Sequence, residues 1–372
     1  MRILITGDLV VNQYYDAAAN INQEVIDLFA QSACNIINLE APVTESTSKI
    51  LKTGPHLKAD KQSTLDVLKR LNIHIAALAN NHTKDYDEQG VLDTIDFCVS
   101  NNIKPIGAGK NLEQAASTTV LDTPEGKIAL INIAENEWAS AEENTAGANG
   151  MNLIKDTRAI QQAKKENDFV FVIIHGGHEY YNLPSPRMQE QYRFYAEQGA
   201  DLVVGHHTHC ISGYETHEGT PIYYSLGNFL FTKSSPNEEW YTGLVLEVSI
   251  QKGKLETTLH PVSQAKESFE LKLLEGSASS ELLEKVAAFS KIVADENKLC
   301  KEWAELVATK YKSYSSYWSP KIFIRNRYVS ALLNKLGLTF TTTRGLAYYL
   351  NLMRCEAHRD LSHAVLQERL KK

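Results

Sequence analysis

The chain has 372 residues, with 38 Lys and Arg set against 45 Asp and Glu for a formal net charge of -7. That length exceeds a single ordinary core, so two domains are expected, and the acidic balance carries no electrostatic footprint for nucleic acid. The five cysteines, Cys34, Cys98, Cys210, Cys300 and Cys355, are odd in number and far apart. This spacing excludes a zinc-type cysteine cluster or a disulfide framework and favours a reducing compartment.

Met1 leads almost at once into an apolar run, Arg2 to Asp8, leaving no room for a signal peptide or membrane anchor. The expectation is a cytoplasmic protein. A second strand, Cys34 to Glu40, follows an amphipathic stretch from Glu24 to Ala33, and a third, Ile75 to His82, follows another from Thr64 to Leu71. Helical spacing resumes from Asp87 to Asn101. Further strands are expected around Lys127 to Ala134, Phe169 to His175 and Ala200 to Val204, then at Ile222 to Tyr224 and Gly243 to Ile250. Such alternation specifies an α/β architecture. The strands with a two-residue period, Lys127 to Ala134 and the last two, suggest a second sheet packed on the first.

Five of these strands end in groups able to bind a metal or move a proton: Asp8, Glu40, the pair Asn81 and His82, His175, and the run Gly205-His206-His207-Thr208-His209. Two imidazoles one residue apart can close on a single centre from one loop. The polar residue just past a buried strand faces the crevice where open α/β sheets keep their chemistry. A surface cluster of histidines is the alternative for that run taken alone.

Asp8, Asn38-Leu39-Glu40, Asn80-Asn81-His82, His175-Gly176-Gly177 and the His206 to His209 run together resemble the CapA group of poly-γ-glutamate capsule-biosynthesis proteins. That group is a branch of the calcineurin-like metallophosphoesterase superfamily. His178-Glu179-Tyr180 and Tyr224-Ser225-Leu226-Gly227-Asn228-Phe229 extend the similarity, which runs from about Met1 to about Val262. The resemblance implies a four-layer αββα sandwich over residues 1–264, followed by a C-terminal helical region over 265–372. It implies one or two divalent ions, manganese, zinc or iron, which mixed nitrogen and oxygen donors suit better than calcium. Asp8, Glu40 and His209 would hold one ion, and Glu40, Asn81, His175 and His207 the other. Two ions roughly 3.5–4 Å apart can clamp the entering and leaving oxygens of a phosphoryl group. Val10 stands where many superfamily members have a ligand histidine, and Glu40 replaces a bridging aspartate; the CapA group shares both departures.

Within this frame His82 is the candidate proton donor to a leaving oxygen, its alternative being a hydrogen-bonded strand-end histidine. His178, Glu179, His206 and Asn228 are candidates for lining a substrate pocket, with His206 also able to orient a ligand from behind. His74, His217, His260, His358 and His363 lie outside the motifs and read as structural or surface residues. The function expected is a metal-dependent, phosphoesterase-type hydrolase in capsule, exopolymer or cell-envelope metabolism. A non-catalytic assembly or binding protein and a hydrolase of γ-glutamyl amides remain as alternatives. The expected partners are a small-molecule or polymer substrate and capsule or exopolymer assembly proteins, without nucleic acid.

After Gln264 the spacing turns helical, with Leu282, Val286, Phe289 and Val293, then Trp303 and Val307, on one side. Aromatic residues rise through Tyr311, Tyr314, Tyr317 and Trp318, and basic and aromatic residues mix from Trp318 to Tyr328. These helices cover the sandwich, mediate dimerisation, or serve a partner or membrane surface. All proposed ligands precede them, so the site is expected to be complete without them. An apolar stripe packed behind the site is the competing expectation.

Overall fold

The computed structural model describes residues 1–317, 327–336 and 343–370. Its first sheet is ordered Leu271–Leu273, Lys254–Gln264, Thr242–Gln251, Arg2–Val10, Cys34–Leu39, Ile75–Ala77, Lys104–Ile106, with Asn228–Phe231 also paired to Arg2–Val10. The second is ordered Tyr214–His217, Thr220–Tyr223, Leu202–His206, Phe169–His175, Gly126–Ala134, Thr119–Thr123. Around Arg2–Val10 and around Phe169–His175 the neighbours are parallel, apart from Thr242–Gln251, which runs antiparallel to the first strand. Parallel neighbours require crossover connections, which the chain makes with helices such as Gln23–Ala30, Lys61–Arg70 and Leu153–Glu166.

Side chains alternate across each strand, so one strand feeds two cores. Leu4, Ile37 and Ala76 face outward and meet Phe29, Val67, Leu68 and Val91 of the first helices. Ile3, Ile5, Ile36 and Ile75 face the other way, against Leu130, Phe171, Ile173 and Val204 of the second sheet. Val170, Val172 and Val203 then face Ile160, Tyr192 and Tyr195 from Leu153–Glu166 and Pro186–Glu197. Three cores thus separate four layers, helix, sheet, sheet, helix, which is the architecture the resemblance implied. Helix starts are set locally: Ser185 accepts from the Met188 amide with Pro186 in the first turn, and Asn152 accepts from the Lys155 amide.

Two expectations change. Gly243 to Ile250 forms its strand but in the first sheet, beside Arg2–Val10, rather than in the second. Periodicity reports which side of a strand is buried and is silent about its neighbour. The first sheet also continues beyond Gln264, because Leu271–Leu273 pairs with Lys254–Gln264, and the helical region starts at Gly276. Glu267 and Lys266 at the intervening turn are exposed, which disguised the return of the strand.

The helical region shares the cores of the sandwich. Leu282 and Val286 enter the core between the sheets, while Val293 and Leu299 enter the one beneath Pro186–Glu197. Val307, Tyr314, Leu352, Leu361 and Val365 then close a small core of their own. Polar ties add to this: Arg187 reaches Glu135 at 2.9 Å and Asp360 at 2.8 Å, and Glu356 accepts from the Asn136 amide at 2.8 Å. The expected mixture of aromatic and basic residues from 318 to 326 lies outside the described residues. Because Leu299 is 1% exposed in a core shared with the second sheet, Leu299→Ala should destabilise the whole chain by about 2–5 kcal/mol. Chemical denaturation followed by fluorescence would measure this; an unchanged midpoint would mean that the helix does not pack there.

Candidate metal centre

The ends of strands from both sheets converge on Glu40. Asp8 lies in register between Asn38 and Asn228, and the pairing is irregular on either side of it, which re-aims its carboxylate. Gly7 permits this approach: a Cβ there would fall 2.0 Å from the Gly227 carbonyl oxygen, whose acceptance from the Asp8 amide fixes the strand end. His207 and His209 both occupy the left-handed region, with φ of 91° and 56°. A non-glycine residue adopts that region at a cost. Here it turns two imidazoles from one loop inward.

Asp8, Glu40 and His209 form one cluster in which a ligand atom from each lies within 4.8 Å of the others, and Glu40, His175 and His207 form a second. Glu40 belongs to both. Its side chain is fully buried, yet neither carboxylate oxygen has a hydrogen-bond partner. Nε2 of His175 and Nε2 of His209 each stand 3.7 Å from Oε1. That is too long for a hydrogen bond and suits two donors sharing an ion at roughly 2.0–2.2 Å each. Asn81 Oδ1 and His207 Nδ1 both lie 3.1 Å from His175 Nε2, so all six expected ligands meet in one place. The donor set therefore fits one or two divalent ions.

Electrostatics agree with this geometry. Burial lowers both His175 and His207, the latter to about 4, so both imidazoles are neutral, the form a metal needs. Burial pushes Glu40 up, whereas at Asp8 the opposing bond to His209 and the nearby imidazoles outweigh burial and bring the carboxyl down. Burial also opposes a charge on His209, but Glu40 and Asp8 overcome it and raise the group to about 10. Trp240, 4.8 Å from the His209 ring, and Phe231 shut water out on that side.

The four expected pocket residues divide. Glu179 is exposed in a cleft of about 450 Å³ beside Asn81, His82 and His207. His178 also borders that cleft, but its Nε2 is engaged with the Ala357 carbonyl at 2.9 Å and its ring packs on Trp303. His206 is 1% exposed and bonds the Thr6 carbonyl at 2.8 Å, behind the centre, which corrects the expectation of substrate contact. Asn228 is corrected likewise: it is buried, its Oδ1 lies 3.0 Å from His209 Nδ1, and its Nδ2 donates to the Trp240 carbonyl. This contact holds the His209 ring with Nε2 toward Glu40, the task of a residue behind a ligand.

His82 borders the cleft, and its Nδ1 lies 2.7 Å from Asp85 and 3.2 Å from Lys52 Nζ, leaving Nε2 for the cleft. Lys52 also pairs with Asp85, which accepts from the Leu57 amide as well. Sequence reasoning missed Asp85, although its place three residues after His82 was a usable signal. It also missed Lys52, which sits in a connection without periodicity, and Glu137, which burial raises to about 7 and which stands 4.0 Å from His207. His358, read as a structural or surface residue, is half-buried at the cleft wall, its Nδ1 2.7 Å from the Tyr314 hydroxyl. The helical region supplies this wall through Lys310, Tyr314, Tyr348, Asn351 and His358, while all six ligands lie before it, as expected.

The chain belongs to the bacterial capsule synthesis protein PGA_cap family, whose sequence model matches residues 2–233. Among curated relatives, the PGA biosynthesis protein CapA of Bacillus subtilis is 34% identical over 235 residues, 60% of this chain and 62% of that protein. The capsule biosynthesis protein CapA of Bacillus anthracis is 32% identical over 203 residues, 52% of this chain and 49% of that protein. A probable polyglutamine synthesis accessory protein of Mycobacterium tuberculosis is 25% identical over 217 residues, 55% of this chain and 57% of that protein. The match thus spans about half to three-fifths of these relatives' lengths.

His209 holds a proton below about pH 10 when no ion is bound, and an ion must displace it. Metal affinity should therefore rise with pH through neutrality, by up to roughly tenfold per pH unit for each proton released. Calorimetric zinc titrations in buffers of different ionisation enthalpy would count the protons; affinity and heat independent of pH and buffer would contradict this charge state.

Proposed function

We propose that the chain is a metal-dependent hydrolase of a phosphoester or phosphoanhydride in capsule, exopolymer or cell-envelope metabolism, with a polymer or its precursor as the substrate class. The observation that carries this reading is the buried Glu40 carboxylate, without a hydrogen bond and shared by two ligand clusters. The capsule and PGA biosynthesis roles in the relatives' names support the metabolic setting. Asp8, Glu40 and His209 would hold one ion, and Glu40, Asn81, His175 and His207 the second. Bound divalent ions supply Lewis acidity toward a phosphoryl oxygen and a lowered pKa for water.

The remaining chemistry belongs to side chains of this protein. His82 presents Nε2 to the cleft while Asp85 holds Nδ1, the arrangement needed to deliver a proton to a departing oxygen. Lys52 clamps Asp85; burial, with the Lys52 charge, lowers His82 against the pull of Asp85, so the imidazole is neutral at rest and must take up a proton before it can deliver one. This array argues against a scaffold kept only for binding, since a binding surface has no use for a positioned donor. Glu179 and the wall from Lys310 to His358 would contact the part of the substrate beyond the reacting bond. On this reading the chain has two parts that act as one unit, the sandwich up to Leu273 and the helices that finish its cleft.

His82→Ala should keep its metal and lose turnover on the order of 10²- to 10⁴-fold with a phosphoester whose leaving group is a poor one. A leaving group that needs no proton should show a smaller loss. Metal analysis and rates on the two substrates would check this. Equal losses on both would remove His82 from proton transfer, and a metal-loaded parent without turnover on any phosphoester would reject the proposed reaction.

A further inference from the structure

The strand Gly126–Ala134 ends at the same edge as the ligands, because Ala134 lies in register with His175. Two carboxylates follow it, Glu135 and Glu137, and the chain turns between them, the Glu137 amide donating to the Glu135 carbonyl at 3.0 Å. Glu135 is taken up by Arg187 and by the Gly177 amide. Glu137 instead borders the cleft beside Asn81, His82 and His207, and the chemistry assigned to His82 makes no use of it. The next residue anchors this turn: the Trp138 indole donates to Thr53 Oγ1 at 3.2 Å and carries the Arg354 guanidinium over its ring at 4.1 Å.

Two ligands of the second ion face this carboxylate. His207 turns Nδ1 to the centre, 3.1 Å from His175 Nε2, and so turns its own Nε2 outward, 4.0 Å from Glu137 Oε1. An imidazole that ligates through one nitrogen carries its proton on the other, and a carboxylate facing that N–H orients the ring and raises its basicity. Asn81 presents Oδ1 to the centre, 3.1 Å from His175 Nε2, and its side chain also hydrogen-bonds Glu137. An ionised carboxylate only accepts, so the group Asn81 offers it is Nδ2, and the bond disfavours the flipped amide that would aim N–H at an ion. Lys52 and Arg354 are the positive charges that act on Glu137, the second of them from the helix Thr343–Arg354. We propose that Glu137 is a positioning residue for the second cluster, fixing Asn81 with its oxygen inward and backing the His207 ring, and that Arg354 links the helical region to the metal centre through it. This role presupposes a second ion held by Glu40, Asn81, His175 and His207.

The test is a calorimetric zinc titration of the metal-stripped full chain and its variants at one pH, with circular dichroism confirming that each is folded. The parent should bind two ions. Glu137→Ala should weaken one of them on the order of 10- to 100-fold, the usual consequence of removing a carboxylate behind a ligand. Glu137→Gln, which keeps an acceptor for Asn81 and loses the charge facing His207, should lose less, and it replaces the alanine variant if that one fails to fold. Arg354→Gln should weaken the same ion by a smaller factor. Because Glu137 acts in part through Asn81, the losses in Glu137→Ala and Asn81→Ala should not multiply: the double variant should bind zinc at least about threefold more tightly than their product predicts. A parent that binds fewer than two ions would reject the second site, and the role of Glu137 with it. A two-ion parent whose Glu137 variants bind zinc as it does, or whose two losses multiply in full, would overturn the role of Glu137 alone. Unchanged zinc affinity with a raised KM on a phosphoester would place Glu137 against the substrate instead, and unchanged affinity in Arg354→Gln would sever the link to the helical region.

Discussion

A carboxylate with no exposure to water and no hydrogen-bond donor is among the more costly groups a fold can carry, because its lost hydration, several kcal/mol even after relaxation, must be replaced. Glu40 is in that position. What surrounds it is a set of neutral imidazoles, one cationic imidazole and a second carboxylate, all supplied by strand ends. Such an arrangement is unfavourable as an empty core and favourable around divalent ions. The fold's architecture follows from the need to hold these groups together against their mutual repulsion and desolvation.

Two sheets packed face to face solve that problem. Each brings its strands' polar ends to the same edge: Asp8, Glu40 and Asn81 come from the first, His175 and the His207 to His209 loop from the second. The core between them, built on Ile3, Ile5, Ile36, Phe171 and Val204, fixes their separation. Local backbone cost is concentrated where the ligands turn inward, at His207 and His209, and close passage at Gly7 lets Asp8 reach the centre. Behind the ligands, Asn228 and Asn38 hold His209 and Asp8 in place, the latter through a 2.6 Å bond. The helices after Gly276 then serve both packing and function, since they enter the sandwich cores and build one wall of the cleft.

The strand ends were legible in the sequence because an apolar run followed by Asp, Glu, Asn or His leaves few places for the polar group to go. The helices at Gln23–Ala30, Lys61–Arg70 and Asp87–Ser100 were likewise visible in their spacing, with ends displaced by a few residues. The side chains behind the ligands were less so. Asn228 and His206 occur in motifs that announce the site, yet adjacent residues on a strand point to opposite faces, and only the paired strands decide which faces the cleft. Lys52 and Asp85 meet across a connection with no periodic pattern. The wall made by Tyr348, Asn351 and His358 depends on helix packing over more than a hundred residues of chain, and local spacing cannot encode that distance.

Glu40 is the test of the whole account, because both clusters pass through it. Elemental analysis of the purified parent and of Glu40→Ala, each equilibrated with manganese or zinc and gel-filtered, compares metal retained per chain, with circular dichroism confirming that both fold. The account predicts that the parent retains tightly bound metal and that the variant loses most of it, with affinity at each cluster weakened together. Full retention of the parent's metal by a folded Glu40→Ala protein would contradict a centre built on that carboxylate.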